Sequence, residues 1–208
     1  MQRRNFMSLT TAFVLVVPHI ARAAVPIGSA ISLIGEGLVR RGTETLPFSA
    51  GLPLMSGDQI ETGAASFAAL ELVTGTTVNL GANARFDLND FVPDVGGTIR
   101  VTGPMVFDRP DDMAPINLVF DVTFAQISIH GTQFFTGSSG GFDSVFLART
   151  SQGGSNGIDV AIDGITKTLK PGQGIDLSGP DGASGPIVTW AAERIRDAFA
   201  SAGAPPPA

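Results

Sequence analysis

Two groups of carboxylates invite a chemical reading: Asp87, Asp90 and Asp94, and further on Asp108, Asp111 and Asp112. Such groups supply oxygen ligands to calcium, or the paired acid and base of glycoside hydrolysis. Neither follows an EF-hand loop, which wants acidic or amide residues at alternate positions and a late glutamate. Solvated turn aspartates are the default expectation. His130 is the only histidine besides His19. It follows Ile129 in an alternating segment, so it is expected on the face opposite the core, beside Ser128. A catalytic triad would need a serine and a carboxylate brought to it by the fold. The glycine-rich run Gly137-Ser-Ser-Gly-Gly141 lacks the lysine and helix of a phosphate loop and is expected to be a hairpin connection. With one Trp and no Tyr, surfaces for stacking sugars are scarce. The sequence therefore predicts no enzyme, no cofactor and no metal. A carbohydrate-active hydrolase using paired aspartates is the alternative.

The composition narrows the classes further. Among 208 residues there is no cysteine, which excludes disulfides, thiolate metal sites and cysteine nucleophiles. Lys and Arg total 13 against 19 Asp and Glu, a formal charge of −6, which argues against a nucleic-acid groove. Hydrophobic residues are 43%, enough for a core. The 26 glycines and 14 prolines fall as short interruptions throughout, the mark of many turns between short elements.

Those elements read as strands. Apolar residues alternate with period two at Ala68, Leu70 and Leu72, then Val78 and Leu80, Phe86 and Leu88, Ile99 and Val101, Ile127 and Ile129. The same pattern returns at Ile158, Val160 and Ile162, and at Ile175 and Leu177. An all-β fold is predicted over residues 24–187, as a sandwich, a barrel or a solenoid-like stack of short strands. The end differs. Val188, Ala191, Ile195, Phe199 and Ala202 recur at helical steps, so one amphipathic helix is expected over 188–203. Thr189 is its expected N-cap, with Gly203 and the prolines behind it as the stop. Glu193, Arg194, Arg196 and Asp197 are expected on its outer face, Trp190 packed on its own domain, and 204–208 unstructured. The helix is expected to cap an open end of the β-core.

The N-terminus reads as an address. Arg3 and Arg4 precede an apolar stretch from Phe6 to Ile20, too short to span a bilayer and suited to a signal peptide. Ala21-Arg22-Ala23 supplies the small-x-small pattern of a cleavage site, so residues 1–23 are read as a signal peptide cut after Ala23. The arginine pair with Phe6 and Met7 resembles a twin-arginine signal. Cleavage removes Arg3, Arg4 and Arg22 and no acidic residue, which moves the formal charge from −6 to −9. The expectation is an exported, periplasmic protein with no transmembrane anchor in its mature chain.

Three segments occur in an order that resembles the FecR-domain family. The first runs through Gly57-Asp58, Thr62-Gly63, the alternating strand Ser66–Leu72 and Gly75. The second is Ala125–Ile129 running into Gly131-Thr132-Gln-Phe134. The third is Leu169-Lys-Pro-Gly172-Gln173-Gly174. The resemblance covers roughly residues 28–177. It implies a solenoid-like stack of strands and a module for signalling or contact, with an envelope protein or a surface polymer as partner. The family's iron-signalling regulators carry an N-terminal anti-sigma region and a transmembrane helix. This sequence shows a signal peptide in their place. The stretch Arg149–Gly157 reads as a loop insertion, and the acidic loop Asp108–Asp112 has no counterpart in the family pattern.

Overall fold

A computed structural model describes residues 25–93, 95–113, 116–129, 132–150, 157–178 and 183–207. The expected signal peptide, with Arg3, Arg4, Phe6, Ala21 and Ala23, lies outside them, as do Asp94, His130, Gly131 and most of the expected insertion after Arg149.

Among the described residues, eighteen strands and one helix follow in chain order. They are β1 (Gly28–Ile34), β2 (Gly37–Arg41), β3 (Glu44–Pro47), β4 (Pro53–Leu54), β5 (Asp58–Thr62), β6 (Phe67–Leu72), β7 (Thr77–Leu80), β8 (Arg85–Val92) and β9 (Gly96–Thr102). Then come β10 (Met105–Asp108), β11 (Asn117–Val122), β12 (Ala125–Ile129), β13 (Thr132–Ser139), β14 (Phe142–Thr150), β15 (Ile158–Ile162), β16 (Ile165–Leu169), β17 (Gln173–Asp176), β18 (Val188–Thr189) and α1 (Ala192–Ser201). They form two nine-stranded sheets. Sheet A has the order β18-β17-β14-β13-β10-β7-β6-β1-β4, and sheet B the order β16-β15-β12-β11-β9-β8-β5-β2-β3.

The result is a sandwich, and the solenoid-like expectation is corrected. A solenoid stacks successive coils with strands parallel. Here consecutive strands form antiparallel hairpins placed alternately in the two sheets, and β9 with β11 is the one parallel pair among the described strands. Each alternating segment puts its apolar set between the sheets. Leu70, Val78, Leu80, Phe86, Leu88, Ile99, Ile127 and Val160 are all fully buried there. Phe107 of β10, Phe120 of β11 and Phe134 of β13 meet at the centre, with ring centroids 4.9–5.8 Å apart. Burial stabilises each such ring by about 1.5–3 kcal/mol.

Open sandwiches must protect their edges. β16, an edge strand, turns Lys167 inward opposite Val160, and its Nζ donates to the Ser184 hydroxyl and the Gly185 carbonyl. A charge at that edge discourages another strand from pairing there.

The helix lies on the outer face of sheet A, and its expected place at an open end is thereby corrected. Val106, Phe135 and Phe146 project from that face against Trp190, Ala198, Phe199, Ala202 and Ala204. The middle strands of sheet A therefore bury both faces. α1 is shorter than the expected 188–203 because Val188 and Thr189 pair with β17 instead. Ala191 occupies the N-cap position with no side-chain bond, which leaves Glu193 in the first turn to favour the positive helix end. At the other end Gly203 takes φ +72°. Its N–H donates to the Ala200 carbonyl, and that of Ala204 donates to Phe199 at 3.0 Å, a Schellman closure. Residues 205–207 follow this closure, with Pro207 half-buried.

Candidate functional site

The glycines and polar residues of the first and last motif segments serve mainly in turns of the folded chain. The Met55–Asp58 turn closes with the Asp58 N–H on the Met55 carbonyl at 3.1 Å, and Gly57 supplies φ +90° at its third position. The Asp58 carboxylate is wholly buried. It accepts the Met55 N–H at 2.8 Å and two bonds from Arg41, each at 2.7 Å, while Arg41 also donates to the Pro53 carbonyl. The buried Thr62 hydroxyl donates to the Gly81 carbonyl at 2.6 Å and accepts the Ala84 N–H at 2.8 Å. The Gly63 N–H donates to the Glu36 carbonyl, and the Gly75 N–H to that of Leu72. Thr132 is buried, and its hydroxyl has no partner among the described residues. In the last motif, Gln173 closes the turn twice, by its N–H to the Lys170 carbonyl and by its side-chain oxygen to the Lys170 N–H.

The aspartates divide. Asp87, although it stands on the outer face of sheet B, is almost buried, accepting the Gln59 amide at 3.1 Å and the Asn89 N–H at 3.0 Å. Asp108 and Asp111 do converge, and Arg149 fills the space between them, with one guanidinium nitrogen on each carboxylate. A β-bulge between Gln133 and Phe134, opposite Ala148, is what turns Arg149 toward Asp108. Gln133 donates to Asp108 at 2.8 Å. Burial pushes the Asp108 carboxyl above its ordinary value, against the pull of Arg149 and Gln133 and with help from Asp111. A hydrolytic pair would need a free carboxylate facing a cleft. The groove beside Asp87 holds that one carboxylate, and the groove beside α1 holds none. Among the described residues no three His, Cys, Asp or Glu gather as a metal would require.

Gly137–Gly141 also satisfies the letter of the Gly-x-Ser-x-Gly nucleophile pattern, and Gly153–Gly157 repeats it mostly outside the described residues. That pattern carries meaning between a strand and a helix. Here Gly140 and Gly141, both with positive φ, form the two-residue tip of the β13–β14 hairpin. The Ser139 hydroxyl accepts from Arg194 at 3.1 Å.

Arg194 is the residue that the helical pattern misplaced. It turns inward from α1 rather than decorating the outer face. Its guanidinium carbon sits 3.9 Å above the Trp190 ring, and it donates to the Ser139 and Ser144 hydroxyls and to Asp176. Trp190, which is buried, also stacks on Phe146 at 5.0 Å. Gly174 makes this possible: a Cβ there would stand 2.2 Å from the Trp190 Nε1. Next to this stack is a groove of about 410 Å³, whose apolar walls include Phe146, Ala148, Ile195, Pro206 and Pro207, with Arg196 at its rim. Such a concavity is where a ligand or peptide is first sought.

The same two-sheet fold occurs in two crystal structures, at 1.65 and 2.50 Å resolution, of "a putative anti-sigma factor from Parabacteroides distasonis ATCC 8503". The TM-scores are 0.52 and 0.51 at 16% identity, over 65% of this chain and 61% of theirs. The chain thus spans about three fifths of the length of these neighbours, and the likeness is one of fold. No protein-family model and no curated protein matches the sequence. Among the described residues no helix is long and apolar enough to cross a membrane.

One signal of the helix site was present in the sequence. Alternation fails at Met105-Val106-Phe107, at Phe134-Phe135 and at Val145-Phe146-Leu147, where apolar residues run consecutively. A strand of this kind is covered on both faces.

Proposed function

We propose that the chain is an exported, non-catalytic FecR-like module of the cell envelope, which works by contact with another envelope protein or with a surface polymer. The observation that carries this reading is the helix–sheet groove, an apolar concavity rimmed by Arg196. The fold shared with an anti-sigma-factor-like protein supports a signalling role for that contact. The first and last of the family's turn motifs, engaged in backbone bonds, support the FecR resemblance. Occupation of Asp108 and Asp111 by Arg149 weighs for contact and against the hydrolase alternative.

The test is photo-crosslinking in intact cells from a reactive amino acid at Ile195, with Asp159 on the far sheet as the control position. A discrete adduct from Ile195 alone, lost when Ala148 is replaced by a bulky residue, supports the reading. Equal labelling from both positions refutes the groove as the contact site. A glycan-cleaving activity abolished by Asp108→Asn would establish the hydrolase instead.

A further inference from the structure

The outer face of sheet B carries a charged ladder of its own. The strand register sets Arg40, Gln59, Asp87, Arg100 and Asp121 opposite one another from β2 to β11, with Glu61 and Arg85 paired one step along. Its ion pairs are unequally filled. Arg40 occupies both oxygens of Glu61, at 3.0 and 3.2 Å. Asp87 is taken by Gln59 and Asn89. Arg85 is left with a 3.9 Å approach to Glu61, and Arg100 with a single bond to Asp121 at 3.3 Å. Both arginine side chains are more than half exposed, at 51% and 58%. They line a groove of about 210 Å³ with Thr102 and Asp87.

We propose that this groove binds an anionic polysaccharide through the carboxylate of a uronic acid unit. Arg85 and Arg100 donate to the carboxylate, and the Thr102 hydroxyl bonds a ring hydroxyl. The inference rests on the contact reading above and deepens it by naming the polymer; it uses a different face from the helix groove. Three features favour this ligand. Guanidinium groups with unfilled donors match a carboxylate in geometry and charge. The groove is lined by two arginines, Asp87 and Thr102 about the buried Val101, so it offers no apolar side chain to form the anchor pocket that a protein partner requires. The carboxylates nearest the groove are engaged, Glu61 by Arg40, Asp87 by Gln59 and Asn89, and Asp121 by one bond from Arg100, and the more distant charge of the chain is screened beyond about 8 Å at physiological salt.

The test is calorimetric titration of the full mature chain with short oligogalacturonate in physiological salt, beside its methyl ester and a polyglutamate peptide. Oligogalacturonate is expected to bind, with Arg85→Ala and Arg100→Ala each weakening it about tenfold and leaving the melting temperature unchanged. Glu61→Gln, which frees Arg40 and Arg85, tightens binding, while Asp159→Asn at a remote place on the same face does not. Failure to bind, equal binding of the ester, indifference to both arginine variants, or an equal gain from Asp159→Asn overturns the proposal. Tighter binding of polyglutamate assigns the face to an acidic protein instead. None of these outcomes bears on crosslinking from Ile195.

Discussion

Gly174→Ala tests whether the helix layer is held by a close backbone approach. The new methyl would stand 2.2 Å from the Trp190 Nε1, 2.4 Å from its Cε2 and 2.8 Å from the Val145 carbonyl oxygen. The indole is already hemmed in, with Phe146 stacked on it at 5.0 Å and the Arg194 guanidinium carbon 3.9 Å from its centroid. Overpacking of this kind costs about 1–3 kcal/mol. Displacing the ring forfeits aromatic contacts with Phe146 and Phe135, about 0.5–1.5 kcal/mol each. A total of about 3 kcal/mol lowers the melting temperature by about 10 °C in a chain of this length. Trp190 is the only tryptophan, so its fluorescence reports this layer directly. The expected result is a red-shifted emission with the lowered transition. Trp190→Ala by itself is costly, but the double variant falls well short of additivity because the clash is gone. A melting temperature within about 2 °C of the wild type, with unchanged emission, refutes the reasoning.

Three further outcomes are expected. Asp58→Ala strands Arg41 and removes the acceptor of the Met55 N–H, so denaturant titration reads a loss of about 3 kcal/mol; Asp58→Asn, which keeps an acceptor oxygen, loses less. Because burial raises the Asp108 carboxyl, the folded state holds that proton more tightly than the unfolded chain. Its contribution is full below the ordinary value of 3.8 and is lost as pH rises through the folded value. The melting temperature of the wild type relative to Asp108→Asn is therefore expected to fall with pH across that window and then level off; a difference that rises with pH contradicts it. Replacing Arg3-Arg4 by Lys-Lys keeps the charge and removes the guanidinium groups. Fractionation is expected to show slowed appearance in the periplasm, and N-terminal sequencing of the exported wild type to begin at Ala24; export at the normal rate refutes the twin-arginine assignment.

Most of the core was legible because a half-buried strand writes its burial as period two. Leu70, Phe86, Ile99, Ile127 and Val160 all alternate in sequence and all face inward. Which sheet each strand joins was not legible. The same alternation serves a solenoid coil and a sandwich hairpin, and only the pairing partner separates them. The helix existed in the sequence as a period of 3.6, but its start did not. Val188 fits the helical stripe and Thr189 reads as its N-cap, yet pairing with Gln173 and Gly174 satisfies their backbone in a strand. Arg194 illustrates the limit most clearly. A charged residue among charged neighbours reads as solvated, and what draws it inward is a set of partners, Ser139, Ser144 and Asp176, that lie 18 to 55 residues away.

Arg194 also resolves a question that apolar packing leaves open. The buried side of α1 offers Ala198, Phe199 and Ala202, two of them small and smooth, against a sheet face of Val106, Phe135 and Phe146. Such a contact is favourable in several registers, because burial of apolar area has no direction. A guanidinium bonded to two hydroxyls and a carboxylate does have direction. It accepts one axial position of the helix and one rotation. A slip by a single residue would leave Asp176 half-buried without its cation, at a cost exceeding what the alanines could regain. The same choice fixes Ile195 and Arg196 beside the groove, so the polar contact that specifies the helix register also shapes the surface offered to a partner.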